Sequence, residues 1–148
     1  MEIKQAISIN ANIGIVFSYL KDFKNRTSFI NYMDEVRLVG NKTEGLGVRY
    51  VEIATILGRN FETIYEVVEF VENEMISVKS IGAVFPITST LKLKQKGEET
   101  VVGLAIKVKL PFLMKVGETL ISGFIDSEAI RILKALKSEV EKFNLAIQ

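Results

Sequence analysis

Cysteine, histidine and tryptophan are absent from this chain of 148 residues, and proline occurs only twice. Without cysteine there is no disulfide framework, thiolate nucleophile or thiolate metal site. Without histidine the commonest metal ligand and the side chain that titrates nearest neutrality are also missing. Acid–base chemistry would fall to Glu, Asp, Lys or Tyr in surroundings that shift their ionisation, so no catalytic residue, metal or other cofactor is expected. Lys plus Arg number 19 against 18 Asp plus Glu, which leaves no general positive field to collect nucleic acid, and none is expected as a partner. No stretch approaches the ~20 apolar residues that carry a helix across a bilayer. Met1 to Ile7 alternate apolar and polar, unlike a secretory leader, and the expected location is the cytoplasm.

What is present suits a folded domain. Apolar residues make up 48% and charged residues 25%, enough to build one core, and a single domain over residues 1–148 is expected. Ile3, Ala6, Ile7 and Ile9 begin a strand, and Asn10 to Asn12 offer side-chain oxygens that cap a following helix. Ile13, Val16, Phe17 and Leu20 recur at helical spacing, and Phe29, Ile30 and Met33 suggest a second short helix. From Glu35 the period becomes two. Turn-forming clusters divide the region into strands over Glu35–Val39, Val48–Leu57, Phe61–Val71, Met75–Ile81, Phe85–Lys94 and Thr100–Lys109, spaced as an antiparallel meander. After Pro111 a helical period returns. Phe112, Leu113, Met114, Val116, Leu120, Ile121, Phe124 and Ile125 cover a broad apolar arc, and Ala129, Leu133, Leu136, Val140 and Phe143 a narrower stripe.

Strands of about ten residues span roughly 33 Å, so seven of them curled around one helix present more concave surface than that helix fills. An internal space is expected, of the apolar kind that holds small molecules. Alternation places Phe61, Thr63, Tyr65 and Val67 on one face of their strand, Phe85, Ile87 and Ser89 together on theirs, and Leu104 and Ile106 on the last strand. Thr63, Tyr65 and Ser89 are the polar minority able to orient a ligand, and Phe112, Met114, Leu120, Ile121 and Phe124 would supply a wall or lid.

The order of several fragments resembles the SRPBCC, or START-like, superfamily, in particular its polyketide-cyclase-like and carbon-monoxide-dehydrogenase-subunit-G-like branches. The fragments are Ile9-Asn10-Ala11-Asn12 before Val16-Phe17 and Leu20-Lys21-Asp22, then Gly45-Leu46-Gly47-Val48-Arg49-Tyr50, Gly58-Arg59, Tyr65-Glu66-Val67, and Leu133-Lys134-Ala135-Leu136-Lys137. The resemblance implies an α+β helix-grip fold: an N-terminal strand, two short helices, six further strands and a C-terminal helix gripped by the curved sheet, around a tunnel for lipids, sterols, polyketides or similar apolar molecules.

Binding or transport of a hydrophobic small molecule is therefore the expected function, by a monomer or homodimer. A cyclase or dehydratase is the first alternative, and it needs an internal acid or base. Glu52 is a candidate if its face of the strand is internal, although a solvated position is the expectation for a carboxylate. Glu118 and Asp126 project within about 80° of each other on a helix and are expected to be wet. The second alternative is an accessory module contacting a membrane or partner protein through exposed residues between Phe112 and Ile125. Gly45-Leu46-Gly47 and Gly58-Arg59-Asn60 lie between strands and read as turns, not phosphate loops. Lys92, Lys94, Lys96, Lys107 and Lys109 read as a solubilising face. Gly117 and Gly123 each cost about 1 kcal/mol in a helix, with close packing on the sheet or a hinge as the compensating gain.

Overall fold

Asn12, three residues beyond the end of the first strand, starts the first helix. Its backbone is extended and its Oδ1 accepts from the Ile15 amide at 3.0 Å, satisfying one of the free N–H groups of the first turn. A computed structural model describes residues 1–83 and 85–148, with the side chain of Leu113 also outside the description. The elements are β1 (Glu2–Ile9), α1 (Ile13–Lys21), a 3-10 turn (Phe23–Asn25), α2 (Arg26–Phe29), β2 (Met33–Val39), β3 (Arg49–Ile56), β4 (Arg59–Val71), β5 (Met75–Ile81), β6 (Ile87–Lys96), β7 (Glu99–Val108), a 3-10 segment (Phe112–Gly117) and α3 (Glu118–Ala146).

The seven strands form one antiparallel sheet in the order β1-β7-β6-β5-β4-β3-β2. Sequential hairpins join β2 to β7, and β1 returns to pair with β7 along its whole length, from Glu2 opposite Lys107 to Ile9 opposite Thr100. The sheet curves around α3, giving the helix-grip arrangement that the sequence resemblance implied. Along α3 the buried residues are Ala129, Leu133, Leu136 and Val140, at the spacing that lines up one face of a helix. Polar contacts fix that face against β1. Lys137 Nζ donates to the Ser8 carbonyl at 2.8 Å and to Glu141 at 2.7 Å, Glu141 accepts from the Asn10 amide at 3.0 Å, and Gln5 Nε2 donates to Asp126 at 2.7 Å. Thr100, fully buried, donates its hydroxyl to the Ala11 carbonyl at 2.8 Å, tying the start of β7 to the turn before α1.

Alternation does not run unbroken. The register slips between Val67 and Glu69, so the inward phase of Tyr65 and Val67 passes to Phe70, which meets Phe17 edge-on at 5.3 Å. Other limits differ from the sequence reading. Met33 starts β2 and is not part of a helix; α2 is only four residues long, because Ile30 is already extended. Phe85 and Pro86 precede β6, and Pro86 lacks the N–H that would continue the ladder. The stretch Phe112–Gly117 is a separate 3-10 segment and α3 begins only at Glu118. Leu57 and Gly58 form the two-residue turn between β3 and β4, both with positive φ, 52° and 76°, as the mirror-image turn of a tight hairpin requires.

Close packing does not account for the helical glycines. Among the described residues, a Cβ added at Gly117 or Gly123 would meet no atom within 4 Å apart from its chain neighbours and its own helix backbone. Gly123 thus retains the backbone-entropy cost with no contact to offset it. Gly123→Ala is expected to raise unfolding free energy by about 0.5–1 kcal/mol in a urea titration; a loss of stability would mean that the position needs glycine for a reason other than space.

Candidate functional site

Between the sheet and α3 lies a cavity of about 280 Å³. Its wall is mostly apolar. The sheet contributes Met33, Ile56, Val78, Ile87, Leu91, Leu104, Ile106 and Val108, α2 and the residue after it contribute Phe29 and Ile30, and α3 contributes Phe124, Ile125, Ile132, Leu133 and Leu136. The polar members are Arg26, Tyr32, Glu52, Tyr65, Ser89 and Glu128.

Arg26 and Glu52 meet directly. Arg26 Nε donates to Glu52 Oε1 at 2.7 Å, with the side chains 17% and 10% exposed. The carboxylate arrives there because β3 alternates Val48, Tyr50, Glu52 and Ala54 onto its buried inner face. The guanidinium comes from the first residue of α2. A buried ion pair gives little net stability but is costly to break, since the survivor stays charged in a poorly solvated place. Burial works against the Arg26 charge, and the nearby Glu52 and the phenols of Tyr50, Tyr65 and Tyr32 more than offset it, so its pKa is raised.

Aromatic rings brace this pair. Tyr50 and Tyr65 are directly opposed on β3 and β4, and their rings stack at 5.7 Å and 18°; Phe23 stacks on the other side of Tyr50 at 4.6 Å and 15°. The Tyr50 hydroxyl is buried without a hydrogen-bond partner among the described residues. The chain has four tyrosines, and burial pushes all of them, Tyr19, Tyr32, Tyr50 and Tyr65, above the ordinary phenol pKa of 10.0. At Tyr50 and Tyr65 the Glu52 carboxylate adds to the effect and Arg26 opposes it.

Of the residues expected from sequence to line the space, Tyr65, Ile87, Ser89, Leu104, Ile106 and Phe124 do so. Phe61, Thr63, Val67, Phe85, Phe112, Met114, Leu120 and Ile121 do not line it. Val67 has the right phase but is solid core at 1% exposure, whereas Phe61 is 48% exposed near the tip of a hairpin whose Leu57 is 96% exposed. Thr63 stands opposite Glu52 in the β3–β4 register but is only half-buried. Phe85 sits in the connection before β6. Phe112 is 84% and Leu120 82% exposed, and Met114 also faces outward; Ile121 is half-buried beyond the lining. Leu113, named with that apolar arc, lies outside the described side chains.

Glu52 corrects the expectation of a wet carboxylate: it is 8% exposed and lines the cavity. Asp126 points to Gln5 and Glu118 is half-buried, and neither lines the cavity. Arg26, Tyr32 and Glu128 were not anticipated. The alternation around Glu52 was a usable signal, whereas Arg26 depends on how a four-residue helix is set against the sheet. Among the described residues there is no cluster of acidic side chains suited to a metal ion. No helix of the described residues is long and apolar enough to cross a membrane.

The sequence matches the family described as polyketide cyclase / dehydrase and lipid transport over residues 1–141, and the chain belongs to that family. Solved structures share the fold. TTHA0849 from Thermus thermophilus has a TM-score of 0.82 at 18% identity, covering 96% of this chain and 98% of that one. A START superfamily protein from Mycobacterium smegmatis gives 0.81 at 15% identity, with 96% and 98% covered. The Zhui aromatase/cyclase from a Streptomyces gives 0.76 at 9% identity, with 96% and 94% covered. No curated protein matches the sequence.

Two measurements address the polar pole. Arg26→Met alone is expected to cost about 3–5 kcal/mol, and the double variant Arg26→Met/Glu52→Leu to recover most of it; denaturant unfolding of both reads the difference. With raised phenol pKa values in the folded state, the unfolded chain loses protons first as pH climbs past 10.0, so stability declines with rising pH there. A spectrophotometric titration should show less phenolate near pH 10.0 in the folded protein than in urea, where the four tyrosines are about half ionised.

Proposed function

We propose that this protein binds or carries a hydrophobic small molecule, of lipid, polyketide or acyl-chain type, in the space between sheet and α3. The observation that carries the reading is the cavity of about 280 Å³ with apolar walls and one polar pole. Burial of ligand surface at roughly 25 cal/mol per Å² would drive binding, and Tyr65, Tyr32, Ser89 and Arg26 would orient the polar end. Membership of a family described as polyketide cyclase / dehydrase and lipid transport supports the same class of ligand. The test is native mass spectrometry and solvent extraction of freshly purified protein. A defined apolar molecule is expected from the native chain and none from Ile106→Trp, which fills the wall; an empty native protein that also fails to take up added lipids or polyketide-like aromatics counts against the reading.

Two further readings each have an observation behind them. A cyclase or dehydratase needs an internal acid or base, and Glu52 with Tyr65 lines the cavity beside Arg26. In that case Arg26 would polarise a substrate carbonyl and Glu52 take up a proton. An accessory module would use the exposed apolar residues Phe112, Val116, Leu120 and Phe124, 57% to 97% exposed, against a membrane or partner.

A further inference from the structure

Each formal charge in the described cavity lining already has a partner. Its described lining contains one cation, Arg26, and two anions, Glu52 and Glu128. Glu52 is held by Arg26 at 2.7 Å. Glu128, 15% exposed, is met from the outside by Arg131 Nη1 at 3.3 Å. Among the described residues the charged groups of the lining are thus already paired, Glu128 by an arginine outside it.

Unused hydrogen-bonding groups remain. Among the described residues the Arg26 side chain donates only through Nε, which leaves the four N–H groups of its two terminal nitrogens. Tyr32, Tyr65 and Ser89 line the same cavity, and their hydroxyls have no hydrogen bond to the protein among the described residues. The guanidinium groups can only donate and the hydroxyls can donate as well as accept, and raised phenol pKa values keep the tyrosines protonated.

We infer that the cavity selects an uncharged ligand that presents an acceptor oxygen, such as a ketone or enol, to Arg26 and the tyrosine hydroxyls, and rejects carboxylates and ammonium ions. A ligand carboxylate would meet the donors but would lie against Glu52 and Glu128 without a counter-ion of its own. An ammonium would find both carboxylates already paired and Arg26 beside it. Either ion carries an unpaired charge out of water, which is the costly case, whereas a carbonyl oxygen loses only hydrogen bonds that the wall replaces. The inference rests on the binding reading above and narrows it from hydrophobic molecules to neutral ones, against free fatty acids in particular.

Three ligands with one ring system test this by calorimetry at neutral pH: acetonaphthone, naphthoate and naphthylmethylammonium. The ketone is expected to bind the native protein about tenfold or more tightly than either ion, a difference of about 1.4 kcal/mol. Equal or tighter binding of naphthoate or of the ammonium overturns the inference while leaving the binding reading standing. Failure of all three to bind overturns both. Glu52→Gln then frees the Arg26 charge while keeping an acceptor for its Nε. In that variant naphthoate should gain about tenfold and the ketone little; an unchanged naphthoate affinity in a folded Glu52→Gln protein also overturns the inference. Should that variant fail to fold, the ranking in the native protein decides.

Discussion

Arg26 reaches from a four-residue helix to a carboxylate in the middle of a strand, and the interior at that end of the molecule is organised around this contact. Glu52 sits on the buried face of β3 between Tyr50 and Ala54, where an isolated carboxylate would be costly. The neighbouring strands oppose it with Val36 on β2 and Thr63 on β4, neither of which carries a charge. Its partner comes instead from the chain segment between α1 and β2, which is thereby fixed across the concave face. The Phe23, Tyr50 and Tyr65 stack packs beside the pair, and the raised pKa values of Tyr50, Tyr65 and Tyr32 follow from the same low-dielectric surroundings.

This arrangement gives the cavity direction. Leu104, Ile106, Leu91 and Ile87 from the sheet and Ile132, Leu133 and Leu136 from α3 make a greasy wall, and the phenols of Tyr32 and Tyr65 lie near Arg26. A ligand held there would be positioned by its polar atoms and retained by its apolar surface, the usual division of labour in such sites. The buried ion pair lends itself to that division because it leaves most of the guanidinium fork unoccupied while removing its net charge. The same geometry serves a carrier or a catalyst, which is why the fold alone does not separate them.

At the other extreme of burial, the first turn of α3 and the segment before it leave Phe112, Val116 and Leu120 almost bare. The sheet grips α3 through Ala129, Leu133, Leu136 and Val140 and through the ties from Gln5, Ser8 and Asn10. Upstream of Ala129, Phe124, Ile125 and Glu128 line the cavity among the described residues. The helix is thus anchored from Asp126 onward, and its first two turns contribute little core.

Much of the fold was legible in the residues. Period-two alternation bounded by turn clusters gave six strands after Glu35 within two residues of their observed limits, and the stripe from Ala129 to Val140 marked the buried face of α3, because both signals are local. The inner phase of β4, β6 and β7 was also readable from alternation, and Tyr65, Ile87, Ser89, Leu104, Ile106 and Phe124 do reach the cavity. Phase, however, says nothing about what lies above a given stretch of strand. Phe61 and Val67 share one face of β4, yet one is near an uncovered hairpin tip and the other is packed solid. Arg26 illustrates the limit most sharply: its charge in a short polar segment carries no local mark of burial, and only the approach of α2 to β3 across 26 positions of sequence makes it the partner of Glu52. Sequence therefore determined the elements and their faces, which depend on near neighbours, while tertiary structure decided which inward residues border empty space and which charges meet, because both depend on distances between elements far apart in the chain.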